Sequence, residues 1–291
     1  MLKQIETIQN ADLSKFSTLK IGGKAKHIFF PKNKEEVCIL IKESIDKGKE
    51  IHPIGIGSNT IFSDGILDKF FISTKNLKKI NITKKNKDVL IEAEAGVSFK
   101  EIINIVKKYN LEGFENLSGI PASIGGAVAM NAGAFGSEIF DILEEVEWID
   151  SEGNIHTSLK DEISFSYRKT QFQKEGFVYK AKLKLKKSDK DIPKIIKEHL
   201  LERNKKQPLN LPTTGSTYKN PEGNYAGYLL EQAGLKGYKI NDIGFSEKHA
   251  NFLVNYGNGQ FKDLMRLLEY AEETIENIYK IKLEREIKIV K

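Results

Sequence analysis

The sequence predicts an α+β protein of more than one domain. Three observations carry this. Apolar residues recur at every second position in some segments and at helical spacing in others. The order strand, helix, strand, Gly-rich loop in the first quarter reads as a small α/β unit. A chain of 291 residues, broken at Gln207-Pro208 and again at Leu211-Pro212, is long enough for two cores.

The elements follow in order. Asn33 and Glu36 predict an N-cap and capping box. Val37, Ile41 and Ile45 continue at helical spacing with Leu40 on the same stripe, and Gly48 marks the stop. Residues 51–57 read as a short apolar strand running into glycines, and 69–74 as another strand. Residues 89–96 alternate as a strand does. Ser98 and Glu101 open a helix over 98–109, with positions 102, 103 and 106 apolar. Strands are expected at 144–149, 154–159 and 177–186, the first two joined by the turn Ser151-Glu152-Gly153-Asn154. A helix over 190–205 precedes the proline break. Beyond it come a helix near 225–234, a strand at 251–255, a long helix at 261–280 and a last strand at 283–290.

Residues 116–137 carry no formal charge over 22 positions, the length of a membrane span. Gly119, Gly125, Gly126, Gly133, Gly136 and Pro121 make a poor helix of it, so a close-packed loop with exposed backbone N–H groups is expected.

Composition excludes several classes. With 40% apolar and 30% charged residues the chain is neither disordered nor collagenous. One cysteine, Cys38, leaves no internal disulfide and no Cys-ligated zinc. The five histidines (27, 52, 156, 199, 249) show no metal spacing, so no metal is expected. The first residues hold no apolar run of signal-peptide length, and a cytoplasmic location is the expectation. The formal charge is +6, from 46 basic and 40 acidic residues. The lysines of 77–88 and 180–191 alternate with apolar residues, as on solvated faces, so neither a nucleic-acid nor a membrane partner is expected. No coiled-coil pattern or sustained exposed apolar stripe is visible, and a monomer is expected. Only four basic residues are arginines: Arg168, Arg203, Arg266 and Arg285. In so lysine-rich a chain, a retained arginine is a candidate for a place where a planar fork matters.

Two Gly-rich segments stand out: Pro53 to Thr60, with Gly55, Gly57, Ser58 and Asn59, and Gly119 to Gly136, with Pro121, Ser123, Gly125, Gly126, Asn131 and Gly133. Closely approaching backbone amides make an anion cradle; they also make tight structural turns. Neither segment has the third glycine of a dinucleotide fingerprint or a following Gly-Lys-Ser/Thr. Together they leave a dinucleotide cofactor and two structural turns evenly matched. Arg168, after Tyr167, is either a surface residue or a carboxylate-recognising guanidinium. Ser216, with Lys219 and Asn220 nearby, is either a turn residue or a proton donor, and no nucleophile elbow surrounds it. Glu284 and Glu286 fall on one face of the last strand and Arg285 on the other. They are solvated carboxylates, or one is a buried acid. His249 is the histidine in a polar, motif-like setting.

In this order the segments Thr18-Leu19-Lys20-Ile21-Gly22-Gly23, 55–60, Gly119 to Gly136, Tyr167-Arg168, Gly215 to Pro221, 246–254 and Leu283 to Ile287 resemble the UDP-N-acetylenolpyruvoylglucosamine reductases (MurB). The set spans nearly the whole chain. The resemblance implies a two-lobed FAD-binding region of the vanillyl-alcohol-oxidase (PCMH) type plus a smaller C-terminal α+β substrate-binding domain. It places lobe 1 at 1–78, lobe 2 at 79–205 and the substrate-binding domain at 206–291, with the final strand able to return to lobe 1. It implies FAD as bound cofactor, held by both Gly-rich loops, and NADPH as co-substrate. The acceptor would be UDP-N-acetylglucosamine enolpyruvate. It further implies catalytic roles for Arg168 and Glu286, the latter protonated, on the substrate carboxylate, and for Ser216 as proton donor. Asn220, Tyr167, Lys219 and His249 would contact substrate.

The chain departs from the family's pattern in three places. The step from Arg168 to Ser216 is 48 positions, which resembles the branch lacking an inserted tyrosine loop. Phe135 stands where many relatives carry Tyr, and Lys20 where many carry Arg. Two other readings predict different behaviour. A flavin oxidoreductase of the same cofactor fold would act on an alcohol or lactone, and the Arg168, Ser216 and Glu286 set argues against it. A basic nucleotide- or RNA-binding module would be colourless.

Overall fold

The first two helices begin where their capping residues sit. In the computed structural model, which describes residues 4–291, Asn33 Oδ1 accepts the Glu36 amide at 2.9 Å and opens α1 (Lys34–Asp46). The first three residues of the expected first lobe lie outside the described residues. The expected capping box is not closed. Glu36 takes the Lys32 amide at 2.8 Å, one residue before the cap. Ser98 and Glu101 do form the reciprocal box of α2 (Phe99–Tyr109), with bonds of 3.3 and 2.7 Å.

The uncharged stretch corrects the loop expectation. Ile124–Met130 form a helix, α3. Its small residues lower helix propensity but admit a neighbour: a Cβ on Gly125 would lie 2.7 Å from Ala95 Cβ. Packing therefore overrides propensity here. Its first amides are not exposed either. Ile124 and Gly125 donate to the carbonyls of Val97 and Ala95 at 2.8 and 2.9 Å. The remaining helices are α4 (Phe172–Glu175), α5 (Ile192–Lys206), α6 (Ala226–Gln232) and α7 (Phe261–Tyr279).

The chain packs as two units. One contains Lys26–Ile56 and Asp68–Leu201 with the segment ending at Gln9; the other contains Asn10–Ala25, Gly57–Leu67 and Glu202–Lys291. The first unit is built on an antiparallel sheet ordered Ile155–Leu159, Leu143–Asp150, Gly176–Lys187, Asp88–Glu94, Ile80–Lys85, with Leu111–Glu112 also paired to Gly176–Lys187. One face buries Val89, Ile91, Ala93, Val146, Ala181 and Leu183 with residues of α2 and α3. The other face explains the start of the second lysine run. Lys180 pairs with Glu147, Lys182 with Glu92 and Glu145, and Lys184 with Asp88 and Glu144. A parallel pair, Ile51–Ile54 with Ile66–Ser73, supplies Phe70 and Ile72 to a second cluster with Val37, Leu40 and Ile41 of α1.

In the second unit, Thr213–Ser216, Phe252–Asn255, Ile243–Phe245 and Lys239–Ile240 form an antiparallel sheet in that order. Its core joins Tyr218 and Phe245 to Leu229 and Leu230 of α6 and to Leu264, Leu267, Leu268, Ala271 and Ile275 of α7. The expected last strand is regular only over Lys288–Val290, which pairs parallel with Thr60–Phe62. Upstream, Arg285 makes a single bridge to Tyr218, because the amides of Glu286 and Ile287 both turn onto Thr217 O at 2.8 and 3.4 Å. No helix among the described residues is long and apolar enough to cross a membrane.

Two stability predictions follow from these contacts. Ser98→Ala removes half of the α2 box and should cost about 1 kcal/mol, read as a lower denaturant midpoint at unchanged slope. Burial lowers the His52 pKa to about 4. The unfolded chain, titrating near 6.5, then binds a proton that the folded state refuses. Stability should be complete above pH 6.5 and fall by about 2–3 kcal/mol as pH drops toward 4. His52→Leu should flatten that part of the stability–pH curve.

Candidate active site

Arg168 occupies a two-residue turn. Phe165-Ser166 pairs with Lys169-Thr170, and Arg168 sits at φ +56°, a left-handed conformation that costs a non-glycine residue about 1–2 kcal/mol. The guanidinium contacts hold it there. Nη1 donates to Asn131 O at 3.0 Å and Nη2 to Gly133 O at 2.6 Å, with Glu138 Oε1 3.6 Å from Nη1. Asn131 is the left-handed C-cap of α3, so the fork grips the carbonyl end of that helix, where a cation is favoured. Asn131 Nδ2 donates to Glu138 Oε2 at 2.7 Å and to Ser166 O at 3.1 Å. Thr170 Oγ1 donates to Ala129 O at 2.7 Å. The exposed Tyr167 ring lies 4.9 Å from the guanidinium carbon. Phe135, also exposed, stacks on His199 at 4.7 Å.

The two Gly-rich segments meet at Ser123. A Cβ on Gly55 would lie 2.5 Å from Ser123 Oγ, so any larger residue there would oblige that hydroxyl to turn aside. Ser123 is buried and its hydroxyl has no hydrogen-bond partner among the described residues; the same is true of Asn131 Oδ1. Gly126 is exposed, one turn into α3, and its Cβ would lie 3.5 Å from Ser123 Oγ. Pro121 is exposed just before the helix, and Gly133 is half-buried beneath the Arg168 fork. A buried, unpartnered hydroxyl facing a space that a methyl would fill suits an oxygen-rich ligand group. The cradle is narrower than the sequence suggests, since the amides of Ile124 and Gly125 serve the fold.

In the second unit, Gly57 has φ +75°, and a Cβ there would lie 1.8 Å from Phe16 O. Thr18 links this loop to the next motif: its amide donates to Gly57 O at 3.0 Å and its hydroxyl to Thr213 O at 2.6 Å. Ser58 is half-buried beside it. Asn59 braces the end of the chain, donating from Nδ2 to Glu286 O at 3.1 Å and accepting the Lys288 amide at 2.8 Å.

Ser216 ends a strand whose register slips between Thr213 and Ser216, with Gly215 at φ +76°. Such irregularities re-aim a side chain. The next residue ties the site together. Thr217 donates to Asn251 O at 2.7 Å and accepts the Glu286 amide, so Ser216 and Glu286 lie on adjoining backbones. Lys219 Nζ reaches Glu284 Oε1 at 2.6 Å, with the lysine side chain 13% and the glutamate 72% exposed. The Lys288 ammonium is pushed below its ordinary pKa by burial and by Lys219, against the pull of Glu284 and Glu286. Asn220 Oδ1 accepts the Ala226 amide at 3.1 Å and so caps α6. His249 packs on Phe252 at 4.7 Å and accepts the Asn251 amide on Nδ1 at 3.2 Å. Burial and Lys236 lower its pKa, so the ring is neutral with its proton on Nε2.

The structure therefore brings together Asn131, Gly133, Tyr167 and Arg168 in one unit, and Asn59, Ser216, Lys219 and Glu286 in the other. Sequence reasoning missed two supports. Glu138, which orients Arg168 and Asn131, is the first charged residue after the uncharged stretch. Asn251 clamps Tyr218, accepting its amide at 2.9 Å and donating to its carbonyl at 2.8 Å.

Comparison with known proteins gives concordant results. Residues 207–290 match the profile of the UDP-N-acetylenolpyruvoylglucosamine reductase C-terminal domain, and residues 25–158 that of an FAD binding domain. The UDP-N-acetylenolpyruvoylglucosamine reductase of Aquifex aeolicus is 44% identical over 97% of this chain and 95% of its own. That of Fusobacterium nucleatum is 39% identical over 97% and 98%. The crystal structure of the Thermus caldophilus reductase superposes with a TM-score of 0.81 at 29% identity, covering 99% of each chain. Cholesterol oxidase from B. sterolicum, 18% identical, shares the fold over 64% of this chain and 38% of its own, with a TM-score of 0.51.

Gly55→Ala should turn the Ser123 hydroxyl out of its present position and weaken flavin retention about tenfold, the effect of about 1–2 kcal/mol from one lost hydrogen bond. Flavin absorbance per mole of protein measures it. Adding Ser123→Ala should relieve the clash without restoring full retention, because the hydroxyl is gone.

Proposed function

The chain belongs to the UDP-N-acetylenolpyruvoylglucosamine reductase family and is an FAD-containing oxidoreductase of peptidoglycan synthesis, and from that premise we propose that it reduces UDP-N-acetylglucosamine enolpyruvate to UDP-N-acetylmuramate with NADPH. The observation that supports this best is the Thr217 carbonyl. By accepting the Glu286 amide it brings the backbone of a candidate acid alongside that of a candidate proton donor, Ser216.

FAD, when bound, supplies two-electron transfer from NADPH to the terminal carbon of the enol ether. We assign Gly55, Pro121, Ser123, Gly125, Gly126, Asn131 and Gly133, with Gly57, Ser58 and Asn59, to holding it. The Ser123 hydroxyl and Asn131 Oδ1, buried and unpartnered, are the donor and acceptor that such a group would satisfy. Residues 1–78 and 79–205 are assigned to the two FAD lobes and 206–291 to substrate binding.

Reduction leaves negative charge on the neighbouring carbon and on the carboxylate. Arg168 answers with a cation held rigid by two carbonyls, and a protonated Glu286 answers with a hydrogen-bond donor. Each such donor is worth roughly 3 kcal/mol, about a hundredfold in rate. Ser216 delivers a proton to the enolate carbon. A serine is a weak acid, so the step depends on geometry set in advance. Tyr167, Lys219, Asn220 and His249 are assigned to substrate contact. Lys219 would be held in place by Glu284, and His249 would act as a neutral donor from Nε2. The proposal includes a monomer acting in the cytoplasm.

The test separates the half-reactions. Ser216→Ala should let NADPH reduce the flavin at the normal rate and slow reoxidation by the enol ether about a hundredfold or more. Glu286→Ala should do the same, and Glu284→Ala should lose much less. Wild-type reoxidation in Ser216→Ala, or turnover of a lactone in place of the enol ether, would refute the reading.

A further inference from the structure

Arg285 lies between the two carboxylates of the final segment, and the reaction does not use it. The Nε–Nη2 edge of its fork is engaged on the far side. Nε and Nη2 donate to Glu272 Oε1 and Oε2 of α7 at 2.5 and 2.7 Å, a bidentate pair. One turn earlier on α7, Leu268 O accepts the buried Tyr218 hydroxyl at 3.3 Å. Tyr218 is also the backbone bridge partner of Arg285. Asn251 fixes Tyr218 from both its amide and its carbonyl. Arg285 thus fastens the segment to α7 at one residue. At the next, Thr217 O holds the Glu286 amide and Asn59 Nδ2 holds the Glu286 carbonyl.

We propose that Arg285 and Glu272 are positioning residues for Glu286: their bidentate pair fixes the twist of residues 284–287 and thereby the direction in which Glu286 is presented. The inference rests on the reading of Glu286 as the acid facing the substrate carboxylate. Pinning 285 toward α7 turns its neighbour 284 the other way, and because the Glu286 and Ile287 amides share one carbonyl, Thr217 O, the presentation of 286 depends on that anchor rather than on regular strand pairing. Glu284 is found on Lys219. A lysine at 285 would hold Glu272 by a single point and leave the twist free, whereas a planar fork holds two points. That is a reason for one of only four arginines in the chain to stand here. Stability is a weaker explanation. The half-buried bidentate pair does contribute stability, but α7 is already anchored by Leu264, Leu267, Leu268, Ala271 and Ile275, so the fold does not need an arginine here to hold that helix. The neighbouring Glu272 raises the Arg285 pKa, which keeps the fork charged throughout the working range.

The experiment uses the holoenzyme with Arg285→Met, Glu272→Gln, the exchanged pair Arg285→Glu with Glu272→Arg, and Glu286→Ala. Two readouts are taken: the separate half-reactions, and amide hydrogen exchange at Glu286 and Ile287. We expect each single change to slow flavin reoxidation by the enol ether about tenfold, to leave reduction by NADPH within about twofold, and to speed exchange at both amides. The exchanged pair should recover part of each loss. In a Glu286→Ala background, Arg285→Met should add no further loss. Equal slowing of both half-reactions, additive losses with Glu286→Ala, or unchanged exchange overturns the proposal. If Glu286→Ala itself leaves reoxidation intact, the reading of Glu286 fails, and the exchange data alone decide whether the pair fixes the segment.

Discussion

The second unit depends on one long-range closure: the last residues of the chain return to a loop near its start. Asn59 donates to Glu286 O across 227 positions of sequence and accepts the Lys288 amide. Strand pairing of Lys288–Val290 with Thr60–Phe62 completes the closure. Local propensity contributes nothing to such a contact, and its loop entropy must be offset by what it buries. Leu19, Ile21, Ile61 and Ile287 are what it buries, in one cluster with α6 and α7. The position of Glu286 beside Ser216 is set by this closure rather than by the strand's own sequence.

The arginines and lysines divide the electrostatic work. Lysines line the outer face of the large sheet in pairs with acidic residues, each partly exposed and each worth little alone. Arg168 and Arg285 act by shape. One spans two carbonyl oxygens at a helix end and one spans a carboxylate. In both cases the charge alone would be satisfied by lysine, and the orientation would not.

What was legible in the sequence was local. Ser98 and Glu101 announce α2 because a cap involves residues three apart, and the alternation at 89–96 announces a strand for the same reason. The glycine stretch misleads because its helix is stabilised by Ala95 and Val97, nearly thirty positions earlier, which no window of sequence contains. Asn33 caps as expected, but the partner of Glu36 depends on how the chain enters the helix. The candidate site shows the same division. Arg168, Ser216 and Glu286 were singled out by residue type, order and family resemblance. Glu138, Asn251 and Glu272, which orient their surroundings, were not, because each acts through contacts that only the folded chain creates.

The interleaving of the two units has a consequence for synthesis. All the segments of the first unit have been made once Leu201 is joined, whereas the second cannot close until residues 288–290 exist. At about 5–20 residues per second, a ribosome needs roughly 4–18 s to cover that difference. During that interval Leu19, Ile21 and Ile61, already translated and tethered to the first unit, have no core to enter. A nascent chain of this design therefore presents apolar surface to the cell for seconds as a matter of topology, and its yield should depend on chaperone capacity more than on the stability of the finished enzyme.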